Sequence, residues 1–390
     1  MESLCTAASG TAMREYIVPY TDLGGQTAGI KNELLGAFSN VIESGHYILG
    51  PYLKAFEDRF AAFCGTRFGV GVANGTFALH LVWRVLGIGP GDEVITVSNS
   101  FVATAASIAL TGATPVFVDV NEDLNVDPEQ IERAITRRTK GIVPVHLTGR
   151  PANMPEISLI GEKHGIFVLE DAAQAVGASL NGRRVGSWGR AAAFSLHPLK
   201  NLFAYGDGGI VTTNDAILYE KLLRARNHGL KNREQCDFWS YNSRLDELQA
   251  AFLAVHMDEL EGWTEKRRTL AHRYSALLEG FAQVPEERHG EYCVYQTYVI
   301  QIERRDELQR FLQANGVEAL VHYRTPIHMQ PAAAGLGYGP TSLPQTWRAS
   351  QRILSLPLFP TMTIEQQDLV VGLIKEFQNK SPHVPRVPTL

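Results

Sequence analysis

EVITVSNSFVATAASIALTGATPVFVDV, residues 93–120, holds two β-rich runs on either side of a segment of small residues. Glu93-Val94-Ile95-Thr96-Val97 and Pro115–Val120 concentrate β-branched side chains, the composition of strands. Between them Ala103–Leu110 reads as a helix. Strand, helix and strand in one short span is the repeating unit of a layered α/β sheet.

The alternation continues on both sides of this unit. Phe68–Val72 reads as a strand and Thr76–Leu86 as a helix. Downstream, Pro128–Thr136 and Ile157–His164 read as helices, and Gly141–Val145 and Ile166–Leu169 as strands. From about residue 65 to 215 this pattern predicts an α/β fold with a mainly parallel sheet covered on both faces. Ligands of such sheets bind outside the carboxyl ends of the strands, so the residues just after each strand carry the most information. Leu245 to about Gly280 reads as a long helix or a pair of helices joining two domains. Beyond it, Cys293–Ile302 and Val317–His322 read as strands, Asp306–Ala314 as a helix, and two further helical stretches end near Lys380. The expected organisation is a flexible start over 1–17, a large domain over 18–255, a smaller α+β domain over 256–380 and a disordered Pro-rich tail over 381–390.

A chain of 390 residues with 45% hydrophobic and 20% charged residues fits such a two-domain globular protein. The formal net charge of −5, with acids and bases interleaved, gives no electrostatic reason to expect a nucleic acid or an anionic membrane as partner. Cys5, Cys64, Cys236 and Cys293 are far apart and form no CxxC pair, so neither a metal site nor a disulfide framework is expected. The first twenty residues lack a cationic start followed by an apolar core, and no apolar run is long enough to span a bilayer. A cytoplasmic protein is the expectation.

Three segments carry chemistry. In Ser195-Leu-His-Pro-Leu-Lys200-Asn-Leu-Phe-Ala-Tyr-Gly-Asp-Gly-Gly209 a lysine sits in a non-periodic loop between two apolar runs. A lysine held beside a sheet loses hydration and lowers its pKa, as an amine must to form a Schiff base; alone, a surface loop lysine is the plainer reading. Val168-Leu-Glu-Asp171-Ala-Ala-Gln174 ends an apolar strand in Glu170 and Asp171. A carboxylate there can keep the ring nitrogen of pyridoxal phosphate protonated, although an isolated Asp after a strand is more often a helix cap or a metal ligand. Asn74-Gly75-Thr76 places a glycine and a hydroxyl where a strand gives way to a helix, a position suited to a phosphate. The spacing of Gly69, Gly71 and Gly75 is one residue too long for a dinucleotide fingerprint.

Taken in order, NGT, SNSFVATAASI, EDAAQAVGA, SLHPLKNLFAYGDGG and YNSRLDELQAA resemble the sugar aminotransferases of the DegT/DnrJ/StrS family. The likeness runs from Ser44-Gly45-His46-Tyr47-Ile48-Leu49-Gly50-Pro51 to Ser355-Leu-Pro-Leu-Phe-Pro360. It implies a fold-type-I pyridoxal 5'-phosphate enzyme with a mainly parallel seven-stranded sheet and a smaller α+β domain. Lys200 would hold the cofactor as a Schiff base and shuttle the proton, and Asp171 would pair with the pyridine nitrogen. Gln174 would contact the ring hydroxyl, Phe101 would stack on the ring, and Gly75, Thr76 and Ser195 would hold the phosphate. Asn242 would reach the phosphate from the partner subunit of a homodimer with a shared active site.

Two positions depart from the family pattern. Phe77 stands where an acidic residue is frequent, and Arg324 stands where HYPxPIH is common, giving His322-Tyr323-Arg324-Thr-Pro-Ile-His328. His322, Tyr323, Arg324 and His328 are the candidate substrate residues; Arg324 reads equally as a contact to a substrate anion or as a surface arginine. His146 reads as a hydrogen-bonded structural histidine.

The resemblance implies amino transfer from L-glutamate (or glutamine) to a keto-sugar, most readily a nucleotide-linked keto-deoxysugar, through pyridoxamine 5'-phosphate. Alternatives are acceptors such as a cyclitol, a free or phosphorylated keto-sugar or an eight-carbon keto-acid sugar. Sugar 3-dehydratases carry histidine in place of the lysine, so Lys200 argues against them. A degenerate, non-catalytic enzyme is opposed by the intact Lys200, Asp171 and Gln174 set, and a regulator on this fold would be expected to carry an added basic DNA-binding domain. The acceptor itself, the carbon aminated and its stereochemistry are not encoded in these motifs.

Overall fold

The computed structural model describes residues 16–380. The expected mobile start, up to residue 15, and the expected disordered tail over 381–390 lie outside the described residues.

The β-rich runs become β1 (Phe68–Val72), β2 (Glu93–Val97), β3 (Thr114–Val118), β4 (Thr139–Val143), β5 (Phe167–Asp171), β6 (Ser179–Leu180), β7 (Arg183–Arg184), β8 (Ala191–Ser195) and β9 (Gly209–Thr213). After the long helix come β10 (Glu291–Tyr292), β11 (Tyr298–Gln301) and β12 (Ile353–Leu356). Seven strands form one sheet in the order β1-β9-β8-β5-β4-β2-β3, in which only β9 runs against its neighbours. Near-continuous apolar strands such as β2 and β8 are what burial on both faces demands, and nearly every residue of both is buried. The crossovers include the helices Gly75–Val85, Val102–Ala109, Pro128–Ala134 and Met154–His164, each close to its predicted span.

The glycines of β1 serve packing. A Cβ on Gly69 would lie 2.6 Å from the Glu57 carbonyl oxygen, and one on Gly71 would lie 2.8 Å from Leu53 Cδ1. Both let the helix Pro51–Cys64 press directly on the strand, which is a structural reason for these two glycines.

One unbroken helix, Glu247–Leu278, runs across the expected boundary at residue 255. Its first half packs on the large sheet through Leu253, Met257 and Leu260. Its second half supplies Leu270, Tyr274 and Leu278 to a separate core with Tyr298, Leu308, Leu354 and Ile374. Val18 joins this second core and bridges Val317, so the segment expected to open the large domain packs with the smaller one.

Two strand expectations need correction. Cys293–Ile302 forms a regular strand only over Tyr298–Gln301, because Val294 donates its amide to Gly149, and Tyr295 takes a positive φ of 45° as the chain turns toward the lysine loop. Val317–His322 makes only isolated bridges, Val18 with Val317 and Leu320 with Ser355. A β-branched composition was present in both, but the cross-strand partners were not.

Candidate active site

The carboxyl ends of β1, β2, β5 and β8 lie along one edge of the sheet, and the chemistry-bearing segments emerge there. After β1 the chain enters the helix Gly75–Val85, whose cap is Asn74: its side-chain oxygen accepts the amide of Phe77 at 2.9 Å. The amides of Gly75 and Thr76 have no intrahelical acceptor, as in every first turn. Gly75 lies directly against Ser195 at the end of β8, where an added Cβ would meet the serine Cβ at 2.7 Å. A helix N-terminus, two hydroxyls and a glycine without side chain therefore converge, which is the donor set a phosphate requires. This cradle and the lysine and carboxylate described next fit pyridoxal phosphate.

Asp171 ends β5 and is buried. Its Oδ2 accepts the Thr104 hydroxyl at 2.7 Å and its Oδ1 accepts the Ala173 amide at 3.2 Å. Burial raises its pKa, while those two hydrogen bonds and the nearby Lys200 and His146 pull it back. Beside it, Lys200 is lowered to about 8, because desolvation outweighs the attraction of Asp171. The sequence expectation that this lysine would be depressed thus has its physical cause.

The loop holding Lys200 is tied down on several sides. Lys200 donates its amide to His197, and Asn201 donates its own to Gln296 Oε1 at 2.8 Å. Gln296 Nε2 in turn donates to the Leu199 carbonyl, and Asn201 Nδ2 to that of Val294. His256 of the long helix binds the Phe203 carbonyl at 2.8 Å. Sequence reading missed the roles of Gln296, Asn201 and His256, because nothing in their local pattern marks contacts 53 to 97 residues away.

Gln174 accepts the Thr148 amide at 2.7 Å and reaches the Tyr323 hydroxyl at 3.4 Å. Burial pushes Tyr323 up to about 12, so its hydroxyl, which accepts from Gln174 Nε2, stays neutral. The Phe101 and Tyr323 rings lie 5.9 Å apart, and Phe101 is more than half exposed. His322 binds Ser355 Oγ at 2.9 Å, and burial together with Lys200 lowers it to about 4, leaving a neutral imidazole.

The remaining candidates lie differently. Arg324 binds Asp306 at 2.5 Å and Gln309 at 2.7 Å on the surface. His328 is buried with Nδ1 2.6 Å from Ser98 Oγ, so it anchors its own segment to the end of β2. Asn242 is exposed and bridges Asn227. His146 is the structural group expected: it accepts the Ala152 amide at Nδ1, which leaves Nε2–H to donate to Glu170 at 3.0 Å. Glu170 also accepts the amides of Gly186, Trp188 and Gly189, so this carboxylate orders a turn.

The sequence pattern of the DegT/DnrJ/EryC1/StrS aminotransferase family matches residues 29–375. The chain belongs to this family. A protein of Geobacillus stearothermophilus named a pleiotropic regulatory protein is 46% identical over 92% of this chain and 98% of its own length. The dTDP-3-amino-3,4,6-trideoxy-alpha-D-glucose transaminase of Streptomyces venezuelae is 41% identical over 93% of this chain and 97% of its own. The crystal structure of S. venezuelae DesV in complex with a ketimine intermediate superposes with a TM-score of 0.91 at 41% identity, covering 94% of this chain and 99% of that one. The resemblance read from the ordered motifs is confirmed, and with it the fold-type-I α/β class and the assignment as an aminotransferase enzyme of a pyridoxal-phosphate-dependent family. Among the described residues no helix is long and apolar enough to cross a membrane, and no group of His, Cys, Asp and Glu is placed to hold a metal.

Proposed function

We propose that this aminotransferase moves an amino group from L-glutamate to a nucleotide-linked keto-deoxysugar, using pyridoxal 5'-phosphate carried on Lys200. The observation that carries the reading is the lysine itself: its amine is lowered to about 8 beside buried Asp171, at the ligand end of the sheet. The bound cofactor would supply an electron sink for the carbon that exchanges nitrogen.

Each residue then has a defined task. Lys200 anchors the cofactor and, once released, carries the proton to and from the reacting carbon. Asp171 holds the proton on the ring nitrogen, and Gln174, fixed by Thr148, meets the ring hydroxyl. Gly75, Thr76 and Ser195 take the phosphate, and Phe101 covers a ring face. His322 and Tyr323, both neutral, line the substrate side; Arg324 and His328 remain the outer candidates.

The active site is read as shared by a homodimer. Asn242 is exposed, as a residue serving a neighbour must be, and Leu35, Phe38, Ile42, Tyr47, Ile48 and Trp239 are large apolar side chains left in solvent by one chain. The acceptor class follows from the Streptomyces relative, whose substrate is a dTDP-linked sugar. Unpaired Cys64, Cys236 and Cys293 fit a reducing, cytoplasmic setting.

The test is an absorbance spectrum of the purified protein before and after excess L-glutamate, followed by a nucleotide-linked keto-sugar. A visible band that converts to a pyridoxamine-like band with glutamate and returns with the keto-sugar is expected. Lys200→Ala should lack the band and nearly all turnover while keeping its fold. A fully active variant, or a wild-type band indifferent to glutamate, would reject the reading.

A further inference from the structure

Behind Asp171 lies a pair of hydroxyls within the motif SNSFVATAASI to which the sequence reading gave no role. Thr104, in the first turn of the helix Val102–Ala109, donates to Asp171 Oδ2 at 2.7 Å, and Ser100 Oγ lies 2.8 Å from Thr104 Oγ1. Thr104 is 1% exposed, Ser100 5% and Asp171 4%, so water does not compete for these bonds. An ionised carboxylate only accepts, which commits the single Thr104 proton to Asp171 and leaves Ser100 to donate to Thr104. The chain of donors therefore points at the carboxylate, and a donated hydrogen bond favours its anion. The titratable groups facing the carboxylate are Lys200, His146 and Tyr323. None of them hydrogen-bonds to it, so Thr104 is its only side-chain donor among the described residues.

We propose that Thr104, backed by Ser100, is a positioning residue: its hydroxyl orients the Asp171 carboxylate and favours its anion, so that the proton shared between Asp171 and the cofactor ring nitrogen stays on the ring. Without the hydroxyl, Asp171 becomes the stronger base and the proton moves from the ring nitrogen to a carboxylate oxygen. The ring then withdraws fewer electrons, and the nitrogen linking it to Lys200 becomes more basic. This inference rests on the cofactor reading above.

The test titrates the visible band of the loaded protein with pH, for wild type, Thr104→Val, Thr104→Ser and Ser100→Ala. Thr104→Val preserves shape and deletes the hydroxyl; it should raise the midpoint by roughly one pH unit. Thr104→Ser should return the midpoint to the wild-type value, and Ser100→Ala should shift it less but in the same direction. Turnover of Thr104→Val should fall by about tenfold in kcat with a smaller change in KM, as expected when ground-state binding is kept. If Thr104→Val does not fold, the Ser100→Ala shift and the Thr104→Ser value carry the test. An unchanged midpoint in Thr104→Val, or in Ser100→Ala where that variant stands in, with a normal wild-type band overturns this inference alone. A wild-type protein with no band overturns it together with the cofactor reading.

Discussion

Gly75 and Ser195, 120 residues apart in the chain, touch so closely that a methyl group on the glycine would sit 2.7 Å from the serine Cβ and 3.1 Å from its Cα. The contact sets the end of β8 against the first turn of the helix Gly75–Val85, and the lysine loop leaves from that same end of β8.

Gly75→Ala should therefore separate the two donors of the phosphate cradle. Backbone and Cβ atoms cannot swing aside, so the substitution costs about 1–3 kcal/mol of overpacking, expressed locally. The expected result is at least a tenfold weaker affinity for pyridoxal phosphate, measured by titrating the cofactor-free protein, with only a modest fall in melting temperature.

The depressed Lys200 amine sets the pH dependence of cofactor loading. Only the uncharged amine attacks the aldehyde, and the lysine is lowered to about 8 rather than the ordinary value above 10. The rate at which the cofactor-free protein acquires its visible band should rise with pH to a midpoint near 8, read by stopped-flow absorbance. A midpoint near 10 would show an ordinary surface lysine.

His256 links acid stability to the active-site loop. Burial lowers its pKa from 6.5 to about 4, and it binds the Phe203 carbonyl three residues beyond Lys200. Below pH 6.5 the unfolded chain takes up a proton that the folded protein refuses, so stability falls as pH drops from 6.5 toward 4. The loss approaches about 3 kcal/mol for this group, and His322, lowered to about 4 as well, adds to it in the same window. Chemical denaturation at pH 7 and at pH 5 should show the fall, and His256→Gln should flatten part of it.

Glu247 is fully buried, and its carboxylate accepts the amides of Gly50, Tyr52 and Leu53 at the start of the helix Pro51–Cys64. Glu247→Ala strands three amides and should cost about 3 kcal/mol, seen as a lower denaturation midpoint. Glu247→Gln, which keeps an acceptor oxygen, should cost less.

Arg324→Ala tests the two readings of a position that departs from the family pattern. With its guanidinium bound to Asp306 and Gln309 and half exposed, removal should leave KM for the keto-sugar within about twofold and stability within about 0.5 kcal/mol. A tenfold rise in KM would place it at the substrate instead.

The α/β alternation, the lysine loop, the carboxylate after β5 and the helix start at Gly75 were all legible in the chain, because each is a local pattern: period, apolar run, turn residue. The family followed from their order. Local pattern misled over Cys293–Ile302 and Val317–His322, where β-branched residues meet no strand partner for most of their length. It was silent on Thr104, Ser100, Gln296 and His256, whose hydrogen bonds span from 4 to 97 residues in the chain. A depressed amine, an oriented carboxylate and a glycine pressed on a serine are consequences of desolvation and close approach. Those arise only when distant segments share one enclosed space, so the sequence by itself named the chemistry and the tertiary structure decided the strength of each group in it.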